Sequence, residues 1–123
     1  MLANATPGNP DFRYRIDAFQ VPKGSRAEFE AAMNRSLAFL RTLPGFRGHA
    51  VYVKSAGPSR FDVITVATWE SQAAVDRASE QVRAYHGRIG FDPPAAMARW
   101  GVKAELGFFR PAPEPEGATA AAP

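Results

Sequence analysis

Large apolar side chains alternate with polar ones over residues 12–21 (FRYRIDAFQV), a run rich in the Phe, Tyr, Ile and Val that suit a strand. Phe12, Tyr14, Ile16 and Ala18 share one face, and Arg13, Arg15, Asp17, Phe19 and Val21 share the other. Both faces carry large apolar groups, which predicts a strand covered on both sides. Pro22-Lys23-Gly24 breaks the run, and Ser25-Arg26-Ala27-Glu28 has the S-x-x-E pattern of a capping box. The helix it opens is predicted to reach about Leu43, with Phe29, Met33, Leu37, Leu40 and Leu43 on one stripe and Glu30, Asn34 and Arg41 away from it. Pro44-Gly45 stops it.

The stretch from Pro44 to Ser71 organises the rest. Two alternating runs, residues 46–54 and 60–70, are joined by Ser55-Ala56-Gly57-Pro58-Ser59 and read as an antiparallel pair. The second run is apolar at consecutive positions (Val63, Ile64, Val66, Ala67), which predicts a central strand buried on both faces. Ser71 caps a second helix, with Val75, Ala78, Val82, Tyr85 and Ile89 on its apolar side and Asp76, Arg77, Glu80 and Arg83 on its wet side. Gly87 and Gly90 loosen its end. Asp92-Pro93 supplies an N-cap and a first-turn proline for a short helix through about Trp100, which Gly101 ends. Residues 102–110 (VKAELGFFR) read as the last strand.

The order β-α-β-β-α-(α)-β predicts an α+β, ferredoxin-like fold: a four-stranded antiparallel sheet with both long helices on one face. The other face is then open, and the two-sided strands predict a homodimer that packs through it. Residues 1–10 and 111–123 lack hydrophobic periodicity and are rich in Pro, Ala and Gly, so both are expected to be disordered tails around a domain at 11–110.

Composition narrows the function classes. The net charge is +3, but Glu114 and Glu116 belong to the expected tail, which leaves +5 for residues 11–110. Twelve of the fifteen basic residues are Arg, and they are scattered, with no basic stripe or docking motif of the kind nucleic-acid binders show. The scatter reads as a soluble surface; the alternative is a basic pocket mouth that attracts anionic or phenolate-like ligands. There is no cysteine, hence no disulfide, thiol nucleophile or thiolate metal site. No basic segment followed by an apolar one opens the chain, and no apolar run approaches membrane-spanning length, so a cytoplasmic protein without membrane partners is expected. Phosphate loops, dinucleotide fingerprints, G-x-S-x-G and H-E-x-x-H are absent, and two His 37 positions apart are weak evidence for a metal. Neither a cofactor nor a metal is expected.

The order of elements, the Pro44-Gly45-Phe46 after the first helix and the Trp69-Glu70-Ser71 at the end of the third strand resemble the antibiotic biosynthesis monooxygenase family. The resemblance spans roughly residues 12–110 and implies the dimeric α+β barrel. That family includes anthrone and quinol oxygenases, haem degraders and members of other roles. In the anthrone oxygenases the Trp of Trp-Glu-Ser contributes to the pocket, which implies the same for Trp69; their Asn four residues earlier and Tyr six residues later correspond here to Thr65 and Val75. Thr65 can still hydrogen-bond and Val75 cannot. The haem degraders place an Asn on the first strand, a Trp within the second helix and a His near its end. Asp17, a position near Ala78, and His86 stand there in this chain. Without that Trp haem degradation is disfavoured, although His86 leaves haem binding open.

The resemblance therefore implies cofactor-free oxygenation of a small aromatic, quinol- or anthrone-like molecule, or else non-catalytic binding of such a molecule by a stress-associated dimer. A bare structural interaction module is a third reading. Cofactor-free oxygenation needs a dry pocket, a base and a donor for the developing oxyanion. His86, on the apolar side of the second helix, reads as base or hydrogen-bond partner, or as a helix-end His satisfied by carbonyls. Asp17 reads as a partly buried carboxylate with a raised pKa unless Arg15 pairs with it. The expected pocket lies between sheet and helices, with Asp17, His86 and Trp69 as the catalytic candidates. Phe19, Thr65 and Tyr85 are expected to hold substrate, and Phe91 and Trp100 to form a lid.

Overall fold

The computed structural model describes residues 8–113. Residues 1–7 and 114–123, most of the two expected tails, lie outside the described residues. Four strands, β1 (Arg13–Gln20), β2 (Phe46–Val53), β3 (Val63–Trp69) and β4 (Lys103–Phe109), form one sheet in the order β2-β3-β1-β4. All three pairings are antiparallel, as the split β-α-β arrangement requires. Helices α1 (Arg26–Leu40), α2 (Gln72–Ile89) and α3 (Pro93–Trp100) complete the chain.

Register decides which side chains meet the helices. Asp17 lies opposite Thr65 on β3 and Leu106 on β4, and Phe19 lies opposite Val63 and Ala104. Arg15, Asp17 and Phe19 therefore share the helix-covered face with Thr65, Ala67 and Trp69. The opposite face carries Tyr14, Ile16 and Ala18 beside Ile64, Val66, Tyr52 and Phe109. β3 is central as expected, but Ile64 is 36% exposed, so this strand is not buried on both faces within one chain. Tyr52 and Phe109 on the same open face are more exposed still.

Local signals hold at most boundaries. The Ser71 Oγ accepts from the Ala74 N–H at 3.1 Å, and the Asp92 Oδ1 accepts from the Ala95 N–H at 3.2 Å. Gly90 and Gly101 close α2 and α3 in the left-handed conformation. Gly45 has φ 84°, and a Cβ there would collide with the Cβ of Ala74, so the Pro-Gly-Phe turn lets the start of α2 approach the chain.

Four further expectations need correction. α1 ends at Leu40 rather than Leu43, because Thr42 and Leu43 donate to Phe39 and Leu40 in tighter turns before Pro44. β3 begins at Val63 rather than residue 60, because Asp62 has another use: its N–H donates to Phe19 O and its Oδ2 accepts from Val21 N–H. The capping box does not form. Ser25 is in the helical region and ends a 3-10 turn (Lys23–Ser25); its Oγ donates to Trp100 O at 2.8 Å, while Glu28 Oε2 accepts from Trp100 Nε1 at 3.3 Å. Both groups serve α3. Finally, Ile89 at the end of α2 is 42% exposed and does not join the core.

The core has two parts. Phe19, Val21, Phe29, Ala32, Val63, Ala96, Trp100 and Val102 form one cluster. Trp69, Ala74, Val75 and Ala78 form the other, with Leu40, Leu43 and Phe46 packed on it.

Candidate functional site

The space between these two clusters is a cavity of about 450 Å³, walled by the sheet on one side and the helices on the other. That is within the range of small-molecule sites, and its lining is mostly apolar. Phe19, Phe29, Met33 and Trp100 bound it from the first cluster, and Trp69 and Val75 from the second. All eight residues singled out from the sequence line it: Asp17, Phe19, Thr65, Trp69, Tyr85, His86, Phe91 and Trp100.

The strands place the polar groups because register puts Asp17 and Thr65 side by side on the covered face. Arg15, two positions before Asp17, lies on that face too and pairs Nε with Asp17 Oδ1 at 2.5 Å. Its guanidinium carbon stands 4.9 Å from the centroid of Phe108 on β4. Asp17 is thus locked in an ion pair, yet burial still holds its carboxyl above the ordinary range, with Arg15 and the Gly107 backbone pulling the other way. Loss of solvent outweighs the cation beside it.

Helix α2 places the other polar group. His86 lies one turn beyond Val82, and its ring packs against Phe91 at 5.4 Å and against Tyr85 at 6.0 Å. Burial lowers its pKa and the Arg35 charge adds to this, so both favour the uncharged imidazole. Among the described residues no carboxylate pairs with it. A neutral, unpaired imidazole can accept a proton.

The aromatic walls differ in how they are held. Trp69 is 4% exposed and meets Phe46 edge to face at 5.2 Å. Trp100 is tied by Ser25 and Glu28 and meets Phe29 edge to face at 6.3 Å. Tyr85 stacks flat on Phe39 at 4.1 Å. Phe91 lies beneath the Arg35 guanidinium at 5.0 Å.

Several lining residues escaped the sequence reading. Phe39 sits off the stripe drawn for α1, and only its pairing with Tyr85 across helices shows its use. Leu106 and Phe108 on β4 follow from alternation once the face of Asp17 is fixed. Arg15 was visible only as a partner for Asp17. Val75, where the anthrone oxygenases carry a Tyr, is 4% exposed and offers the cavity no polar atom. Among the described residues no group of three or more His, Cys, Asp or Glu is placed to hold a metal ion, and no helix is long and apolar enough to cross a membrane.

The model of a family described as antibiotic biosynthesis monooxygenase matches residues 14–88. No curated protein gives a sequence match. Among solved structures, SnoaB, a cofactor-independent oxygenase from Streptomyces nogalater, is 27% identical with a TM-score of 0.60, covering 88% of this chain and 99% of that one. MhuD, a heme-degrader from Mycobacterium tuberculosis solved with two hemes in its active site, is 23% identical with a TM-score of 0.58, covering 80% and 93%. A conserved protein from Methanosarcina mazei is 17% identical with a TM-score of 0.60, covering 82% and 94%. The latter two show likeness of fold.

Proposed function

The chain belongs to the antibiotic biosynthesis monooxygenase family, and from that premise we propose that it oxygenates a small aromatic molecule, quinol- or anthrone-like, without a cofactor. One observation carries the reading: an apolar cavity of about 450 Å³ on which His86 and the Arg15–Asp17 pair converge. The likeness to a cofactor-independent oxygenase over almost its whole length supports it.

In this reading His86 is the base. Taking an anthrone as the substrate, a C–H proton passes to the imidazole and the electron pair stays on the ring system as an enolate. The enolate gives one electron to O₂, the radical pair joins to a peroxide anion that takes the proton back from the imidazolium, and loss of water from the hydroperoxide leaves a carbonyl. One CH₂ and one O₂ become one C=O and one H₂O. Trp69 and Phe19 shape the ring site, Thr65 and Tyr85 offer hydroxyls to the substrate oxygens, and Phe91 and Trp100 close the end near α3. Asp17, held by Arg15, orients its partner and does not take the proton. The domain spans residues 11–110, and a second copy packs on the open sheet face, where Tyr52, Ile64 and Phe109 would lose their exposure to water.

A second reading, binding without turnover, has a specific observation behind it: the Asp17 ion pair and the apolar Val75 leave His86 as the sole free base among the candidates.

The test is oxygen uptake by metal-stripped protein with a panel of anthrones and hydroquinones, alongside His86→Ala and Trp69→Ala variants checked for folding. General-base catalysis predicts a loss of about 10²- to 10⁴-fold in His86→Ala. Uptake indifferent to both substitutions is background autoxidation and sinks the oxygenase reading. Binding of the panel without uptake selects the second.

A further inference from the structure

Charge in the cavity does not balance. Its lining includes two guanidinium groups, Arg15 and Arg83, and one carboxyl, Asp17; Tyr85 and His86 are the other titratable groups. α1 adds no charged group to the lining, β3 adds none, and β4 adds Leu106 and Phe108 only. Arg35, over Phe91, bears on His86 from α1 with a further positive charge.

The two lining cations are not equivalent. Arg83 is exposed on α2. Arg15 is fixed twice, by Asp17 at Nε and by the Phe108 ring beneath its guanidinium, and its side chain is 35% exposed. Its two terminal nitrogens make no hydrogen bond to any described residue. A guanidinium seated by an aromatic ring, with Nε occupied and its terminal nitrogens free on a residue that lines a mostly apolar cavity, can take a single anionic oxygen.

Resting on the aromatic-ligand reading above, we propose that Arg15 is the anion anchor of the cavity: its free Nη edge binds the phenolate or enolate oxygen of an aromatic ligand, and the site thereby selects ionisable aromatics over their neutral ethers. The phenol O–H breaks heterolytically, the electron pair stays on oxygen, and the proton leaves to solvent. Asp17 keeps Arg15 aimed and is a positioning residue. The carbanion of an oxygenation substrate has its charge largely on such an oxygen, so the same contact that selects the ligand lowers the barrier to its deprotonation.

The experiment uses the full chain and two chromophores of nearly equal shape, 4-nitrophenol and its methyl ether 4-nitroanisole. Both are titrated into wild type, Arg15→Gln, Arg15→Lys, Arg83→Gln and the double variant Arg15→Gln/Asp17→Asn, and the bound nitrophenol is followed by the absorbance of its phenolate across pH. Wild type is expected to bind the phenolate about tenfold more tightly than the ether, and to shift the ionisation midpoint of bound nitrophenol down by about one pH unit, the same tenfold preference read as a proton equilibrium. Arg15→Gln and the double variant are expected to lose both effects while holding the ether within about twofold of wild type, which shows that the cavity is intact. Arg15→Lys restores part of the preference as a point charge without the fork. Equal binding of the two probes by wild type overturns the proposal, as does a preference that survives Arg15→Gln and disappears in Arg83→Gln. Failure of wild type to bind either probe is a different result: it overturns the aromatic-ligand reading, and the anchor with it.

Discussion

At one end of the cavity Phe19 and Phe29 meet edge to face at 4.9 Å, and Trp100 closes on Phe29 at 6.3 Å. At the other end Trp69 rests among Ala74, Val75 and Ala78, with Gly45 pressed against Ala74. The first cluster draws on five elements or their flanks and fills space with rings. The second removes side-chain bulk so that backbone can come close. Rings at one end prop α1 and α3 off the sheet, small residues at the other draw the start of α2 in, and the space left between is the site. The cavity lies where the two packing styles meet.

Breaking the ring-filled end should have the largest effect. Phe29 is 2% exposed and contacts rings on two sides, so Phe29→Ala is expected to cost about 3–5 kcal/mol by urea unfolding. A loss below about 1 kcal/mol would mean that this end collapses freely and does not prop anything. Gly45→Ala tests the close-approach end. A positive φ in a non-glycine residue costs roughly 1–3 kcal/mol, and the collision with Ala74 adds to it. Gly24→Ala, where an added Cβ meets nothing and φ is ordinary, is the control and should stay within about 0.5 kcal/mol.

The smallest effects belong to the cavity between the clusters and are opposite in sign. The Asp17 carboxyl has its folded pKa raised above 3.8, so the folded chain holds that proton more tightly than the unfolded one. Its contribution is fully present below pH 3.8 and is lost as pH rises through the folded value. His86 has its folded pKa lowered below 6.5, so the unfolded chain takes the proton first and stability falls as pH drops from about 6.5 through the folded value. Unfolding curves for Asp17→Asn and His86→Gln across pH 3–8 should each remove one of these slopes. Parallel curves for wild type and His86→Gln between pH 5 and 7 would place His86 in water rather than in the cavity wall.

Much of this arrangement was legible in the chain, for local reasons. Alternation places Asp17 and Phe19 on one face whatever the tertiary structure does, and Ser71 and Asp92 cap their helices through the third residue onward. Ser25 and Glu28 carry an equally good local pattern and do something else, because Trp100 lies 75 and 72 positions away and offers a carbonyl and an indole N–H that would otherwise lack protein partners. A local rule cannot see that competitor. The same holds for Phe39 and Tyr85, which belong to different helices and show no pattern until the sheet brings those helices face to face. Arg15 was legible as a charge and not as a geometry, since its aim depends on Phe108, 93 positions on.

The chain has two tryptophans, Trp69 and Trp100, and both line the cavity, one in each core cluster. Tryptophan emission is therefore entirely cavity emission. An aromatic guest would quench both emitters, each according to its distance, so Trp69→Phe and Trp100→Phe give two single-emitter proteins that view the same guest from opposite ends. Together they report a guest's position between the two core clusters, with no dye attached.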